Sequence, residues 1–220
     1  PIVAHNTLVG RPGLESPPPD ELPKTARVGV VNVYDGLLPW PDGTKIESLR
    51  IMQVLPKTTP SANGPRIGYG DQKGARAVLG TVPVEQDGSA YFEAPAGKLM
   101  YFQALDERGL AIQSMRSATY LHPGEFLGCQ GCHEMKHRAP HRNAATPLAL
   151  QREPSTIKPD AEGSRPFSYT RLVQPVLDRH CVACHRDRNA IDLSGEITGE
   201  HGWSRSYHNL ARQHGFYFHV

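Results

Sequence analysis

The chain has 220 residues, a formal net charge of +2, 38% hydrophobic residues, 21 glycines and 20 prolines. So small a charge gives no electrostatic footprint for nucleic acid or an acidic membrane surface, and no apolar run approaches the roughly 20 residues that a membrane span needs. The length allows one ordinary domain with a smaller one beside it, and the Gly- and Pro-rich, apolar-poor composition predicts short strands and loops.

Residues 1–27 carry the run Ser16-Pro17-Pro18-Pro19 and little periodicity, which predicts an extended arm or linker. From Val28 the character changes. Residues 28–34 are a β-branched run closed by Asp35-Gly36, a strand and then a turn, and residues 46–55 read the same way before Pro56. Residues 60–74 are a Gly/Pro/Asn loop. Strand-like residues 78–84 lead into Glu85-Gln86-Asp87-Gly88, a hairpin signal, and then into residues 89–94. Pro95-Ala96-Gly97 turns again, 99–105 is a further strand, Asp106-Glu107-Arg108-Gly109 turns, and 110–115 completes an expected meander. Short strands at this spacing predict that residues 28–120 form a β-sandwich of immunoglobulin-like or transthyretin-like type.

After Tyr120 the pattern becomes loop and helix. Residues 121–150 are loop-rich, and residues 151–167 are polar and Pro-rich, a linker. Ser168 can cap a helix whose Tyr169, Leu172, Val173, Val176 and Leu177 follow the 3.6-residue period, with Pro175 splitting it into two short helices. Asp192-Leu193-Ser194-Gly195 reads as a turn and 203–212 as a further short helix. The expected class is therefore α+β, a sandwich followed by a loop region and a small helical domain over 168–220. The closing Gly215-Phe216-Tyr217-Phe218-His219-Val220 is an aromatic stretch of the kind normally tied into a core, so the expectation is a chain cut within that last domain.

All four cysteines fall in two copies of one pentapeptide, Cys129-Gln130-Gly131-Cys132-His133 and Cys181-Val182-Ala183-Cys184-His185. C-x-x-C-H is the attachment signature of c-type haem. Two thiols at this spacing can each form a thioether to a haem vinyl group, and the adjacent His then lies under the iron as an axial ligand. The expectation is two covalently bound haem c groups, one in the 121–150 segment and one in a small helical cytochrome c domain. Zinc competes as the cofactor, since two C-x-x-C pairs can build a four-thiolate site. Such pairs usually lie about 15–20 residues apart, however, and zinc gives no reason for a His after each pair. A thioredoxin-like motif would need a βαβ pattern, which is absent, and a C-x-x-C loop is too tight for a useful disulfide staple. Haem c is attached outside the cytoplasm, so the expected location is extracytoplasmic, in a periplasm or equivalent compartment or secreted. With no charged-then-apolar leader at its start, the chain reads as mature, trimmed or part of something longer.

The stretch Gly80-Thr81-Val82-Pro83-Val84-Glu85-Gln86-Asp87-Gly88-Ser89-Ala90-Tyr91-Phe92 resembles the family of the hydrazine synthase alpha subunit and its planctomycete-type relatives. So do Gln103-Ala104-Leu105-Asp106-Glu107-Arg108-Gly109, Gln113-Ser114-Met115-Arg116-Ser117 and His122-Pro123-Gly124-Glu125. The run Val173-Gln174-Pro175-Val176-Leu177-Asp178-Arg179-His180-Cys181 resembles cytochrome modules of the same bacteria. The resemblance, over residues 28–210, implies a secreted dihaem or multihaem protein with one haem in a β-rich middle domain and another in a helical C-terminal domain. It implies as partners a redox protein or the other subunits of a multihaem complex. In that family a propeller precedes these domains, and nothing in this chain can be one. In the family's synthase a tyrosine shortly after the first motif His binds the iron, freeing that His for a zinc site that also uses a cysteine. The matching position here is His137, and no fifth cysteine exists. Hydrazine synthesis therefore does not simply carry over, and the fold transfers better than the chemistry.

His133 and His185 are the proximal iron ligands by motif. His137 ligates the first iron if it takes the tyrosine's place and is otherwise a solvated His. His122 could fold back over that haem or cap the Pro123-Gly124 turn. For the second iron His201, His208, His214 and His219 are candidate sixth ligands, with His208 first because Tyr207 and Leu210 could pack on the macrocycle. Met115 and Met135 are further candidate thioether ligands, although Met115 sits in a strand pattern that more often means core. Arg116, Arg138, Arg142, Arg186 and Arg188 could pair with haem propionates or form a solvated basic surface. The leading functional reading is an electron-transfer module in an extracytoplasmic redox complex. The alternative is a haem-based catalytic subunit of nitrogen-compound chemistry, hydrazine synthase-like, with one open haem site. A third is an interaction domain whose haems mainly stabilise the fold. The number of strong ligands on each iron separates the first two.

Overall fold

The structure is a computed structural model that describes residues 22–36, 40–57, 59–61, 74–115, 117–132, 137, 145–160, 163–186, 191–198 and 202–213. Most of the segment expected as an arm lies outside them. The described residues are mostly β-sheet with few helices, and the chain divides into two compact units, 1–54 with 78–164 and 55–77 with 165–220.

In the first unit the strands are β1 (Thr25–Val30), β2 (Ser48–Val54), β3 (Arg76–Pro83), β4 (Ala90–Pro95), β5 (Leu99–Leu105), β6 (Ala111–Ser114), β7 (Thr119–Tyr120) and β8 (Phe126–Cys129). Among the described residues they form one sheet in the order β4-β1-β8 and another in the order β3-β2-β5-β6, with β7 also on β5. The two-residue period of a strand turns Val28 and Phe92 of one sheet and Leu49, Ile51, Met100 and Phe102 of the other toward a shared core. The Phe92 and Phe102 rings meet edge to face at 5.6 Å. Each such side chain contributes about 1.5–3 kcal/mol by leaving water.

The turn at Glu85–Gly88 forms, with the Gly88 N–H donating to the Glu85 carbonyl at 2.8 Å, but it does not make the expected hairpin. β3 and β4 enter different sheets, as do β4 and β5, so the expected meander is replaced by crossings between sheets. β1 pairs along its whole length with β4, from Thr25 opposite Pro95 to Val30 opposite Ala90, while β2 pairs in full with β5. These long-range ladders outcompete a local hairpin. The true hairpin is β5–β6, across Asp106–Gly109.

Residues 155–158 lace the outer strands of both sheets. Ser155 bonds to Tyr91 and Glu93 of β4, and Lys158 exchanges two 2.9 Å backbone bonds with Thr81 of β3. The polar, Pro-rich stretch that reads as a linker thus covers two sheet edges that would otherwise expose unpaired backbone groups. Gly80 makes the approach feasible, since a Cβ there would stand 2.2 Å from the Lys158 carbonyl oxygen and its φ is +143°.

In the second unit a π-helical turn at Tyr169–Val173 leads into α1 (Gln174–His180), followed by α2 (Val182–His185), β9 (Ile197–Thr198), β10 (Trp203–Ser204) and α3 (Arg205–His208). Residues 169–180 are helical without interruption, so Pro175 does not split the helix as expected; it lies in the first turn of α1, where a missing N–H costs nothing. Ser204 caps α3 by accepting from the Tyr207 N–H at 3.2 Å. Asn209–Gln213 continues as a π-helical turn.

Candidate functional site

The first C-x-x-C-H motif begins on the last residue of β8. Cys129 lies opposite Val30 in the parallel β1–β8 pair. From there the chain folds over the turn that follows β1. The Val31 and Asn32 N–H groups donate to the Cys129 and Gln130 carbonyls at 2.9 and 3.0 Å, and the Cys132 N–H donates to the Asp35 carbonyl at 3.1 Å. Gly131 packs directly on Asp35, where a Cβ would stand 2.1 Å from the carbonyl oxygen. The supporting turn is itself fixed. The Asn32 side chain accepts from the Tyr34 N–H at 2.9 Å, and the Tyr34 hydroxyl accepts from the Ile46 N–H at 2.8 Å. The Trp40 indole N–H donates to the Tyr34 carbonyl at 2.9 Å.

Cys129 and Cys132 are half-buried against the core and stand together on the wall of a cavity of about 510 Å³. The wall is otherwise mainly apolar, with Val30, Leu49, Phe102 and Ala104, and Met115 lies on it too. A volume in the 300–1,000 Å³ range suits a cofactor. Burial pushes the Cys132 thiol up to about 11, so at neutral pH it is an uncharged S–H and a weak nucleophile.

His133 lies outside the described residues, as do Met135, Arg116, Arg138 and Arg142. His137 is exposed in a turn. His122 is exposed, its ring edge to face with Tyr120 at 5.4 Å and its backbone N–H donating to Glu125 Oε2 at 2.7 Å. Neither His137 nor His122 lines the cavity.

The second motif spans the end of α1 and all of α2. Cys181 caps α1, its N–H donating to the Leu177 carbonyl at 2.8 Å, while its own carbonyl accepts from the His185 N–H at 3.0 Å, and Cys184 is exposed. His185 Nδ1 lies 3.1 Å from the Ile191 carbonyl oxygen. A carbonyl can only accept, so Nδ1 is the donor there, which in a neutral imidazole leaves the lone pair on Nε2, as metal-ligating imidazoles require. Arg186 faces Glu196 at 3.9 Å. His208 is half-buried at the end of α3, close in sequence to Tyr207, whose ring meets Tyr169 and Trp203 edge to face at 5.0 and 5.6 Å. Leu210 is 37% exposed. Arg188, His201, His214 and His219 lie outside the described residues.

Sequence reading missed Gln174, which is 6% exposed. Its amide donates to Asp178 at 2.8 Å and to the Leu193 carbonyl at 3.1 Å, and its oxygen accepts from the Ser206 hydroxyl. It thereby ties α1 and α3 to the segment that supplies the His185 partner. Among the described residues no group of three or more His, Cys, Asp and Glu is arranged to hold a metal ion, and no helix is long and apolar enough to cross a membrane.

Residues 44–134 match the hydrazine synthase alpha subunit middle domain family. Hydrazine synthase subunit alpha of Kuenenia stuttgartiensis is 24% identical over 234 aligned residues, covering 75% of this chain and 29% of that protein. The solved structure of Kuenenia stuttgartiensis hydrazine synthase superposes with a TM-score of 0.68 at 20% identity, covering 87% of this chain and 34% of that one. This last likeness concerns the fold alone. The chain spans about a third of the length of the relatives it matches.

Proposed function

We propose that this chain, a member of the hydrazine synthase alpha-like family, is part of a haem-bearing catalytic subunit of nitrogen-compound chemistry, with haem c held covalently at both C-x-x-C-H motifs. The supporting observation is the pairing of Cys129 and Cys132 on the wall of a largely apolar cavity, within the segment that matches the family. The family match favours this reading over the electron-transfer module that the sequence puts first.

The residues present fit the cofactor. Cys129 and Cys132 would hold the first haem by thioethers, and Cys181 and Cys184 the second. When bound, haem supplies an iron that exchanges single electrons and accepts small ligands. The protein's part is placement and exclusion of water. Asp35 and Gly131 fix the first motif loop, while Val30, Leu49, Phe102 and Ala104 make the cavity wall water-poor. At the second motif the Ile191 carbonyl holds His185 in the tautomer that can donate to iron. That arrangement supports the electron-relay reading for the second haem, which would then serve the first.

In this reading the two sheets are a sandwich of the immunoglobulin-like or transthyretin-like kind and the helical residues after 168 are a small cytochrome c domain. The protein works outside the cytoplasm with other subunits of a multihaem complex. Carbon monoxide added to the reduced, haem-loaded protein tests the assignment. Binding at one of two haems is expected, and binding at neither would leave a relay only.

A further inference from the structure

We propose that Met115 is an exchangeable thioether ligand to the iron of the haem at the first motif. The inference rests on the haem reading above and on how Met115 is held. β6 ends at Ser114, so Met115 is the first residue past the β5–β6 ladder. Its N–H donates to the Phe102 carbonyl at 2.9 Å, as a ladder residue would. The Phe102 N–H, for its part, has a side-chain acceptor among the described residues. It donates to Met115 Sδ at 3.3 Å, so the sulfur stands where a ladder acceptor would be. This pins a flexible side chain whose rotamers would otherwise be free.

The pinned residue lines the cavity together with Cys129 and Cys132. Both cysteine sulfurs are consumed by thioethers once haem is attached. Val30, Leu49, Phe102 and Ala104 offer no donor atom, and the Gln113 and Ser117 side chains offer only hard oxygens. Among the described lining residues, Met115 therefore supplies the one remaining soft donor for iron. A thioether sulfur has two lone pairs, so the bond from Phe102 leaves one available. That bond also draws density from the sulfur, which weakens its hold on iron and makes it displaceable by a small incoming ligand. Met ligation raises a haem's potential, so the same residue would keep the first iron easy to reduce.

The test uses the full-length, haem-loaded protein and its Met115→Leu variant, with intact mass first establishing covalent haem at both motifs. Failure at that step overturns the haem reading itself. With both haems present, near-infrared magnetic circular dichroism of the ferric wild type should show a thioether-to-iron charge-transfer band. In Met115→Leu the band should be lost, the potential of one haem should shift down, and carbon monoxide should bind faster to the reduced protein. Absence of the band in the wild type overturns the proposal whether or not the variant folds. Persistence of the band in Met115→Leu with an unchanged potential overturns it equally.

Discussion

Gly131 lies so close to Asp35 that a Cβ at this position would stand 2.1 Å from the Asp35 carbonyl oxygen and 2.8 Å from its carbonyl carbon. The obstacle is backbone held by its own turn, so it cannot swing aside as a side chain could. Gly131→Ala should therefore displace the loop between Cys129 and Cys132, at a cost of about 1–3 kcal/mol typical of overpacking. We expect a lower thermal midpoint together with reduced haem attachment at the first motif, read by intact mass. Normal stability and loading would show that the loop does not need this packing.

Gln174 joins three segments through one buried amide. Gln174→Met keeps the volume but takes the amide donor from the buried Leu193 carbonyl, while the Ser206 hydroxyl keeps only its 2.9 Å contact with Ser204 Oγ. An orphaned buried polar group costs about 1–3 kcal/mol, so the urea midpoint should fall. Because Leu193 lies next to the turn that positions Ile191, the potential of the second haem should also shift. A lower midpoint with an unchanged potential would confine Gln174 to stability.

Asp87 gives a pH-dependent prediction. Burial pushes its carboxyl up, but hydrogen bonds from the Leu148 N–H and from the Ser89 hydroxyl and N–H outweigh this, leaving its pKa below the usual carboxylate value. A carboxylate depressed in the folded state stabilises fully above its unfolded pKa of about 3.9, and the contribution is lost as pH falls through the folded value. Asp87→Asn should thus lower stability at neutral pH and flatten the acid side of the stability profile. Chemical denaturation at a series of pH values checks this. A variant with the wild-type acid slope would contradict it.

Much of the local structure is legible in the sequence, because strands and turns are written in short-range patterns. β5 runs over Leu99–Leu105, the span the sequence predicts, and the helical character of residues 169–180 is legible too, although Pro175 does not split them. Sheet membership is not legible, since it depends on partners far along the chain. The Asp87 turn reads as a hairpin signal, yet Asp87 and Ser89 serve to hold the Leu148–Gln151 3₁₀ turn, with Ala149 donating to Ser89 Oγ at 2.9 Å. The two C-x-x-C-H motifs are legible in the sequence as such. The cavity is not, because Leu49, Phe102, Met115 and Cys129 come together only through the two sheets. Gln174 looks like any polar position on a helix until its burial is seen, and Gly131 occupies a motif position where any residue is formally allowed.

Covalent haem at Cys129, Cys132, Cys181 and Cys184 is the claim on which the proposed catalysis, relay and Met115 ligation all depend. It is tested most directly by intact mass spectrometry of the protein matured in a compartment that attaches haem c, after acid and organic extraction. The account predicts the chain mass plus two haems, with each pair of cysteines carrying one in the peptide map. The bare chain mass, with all four thiols free to alkylate, would contradict it.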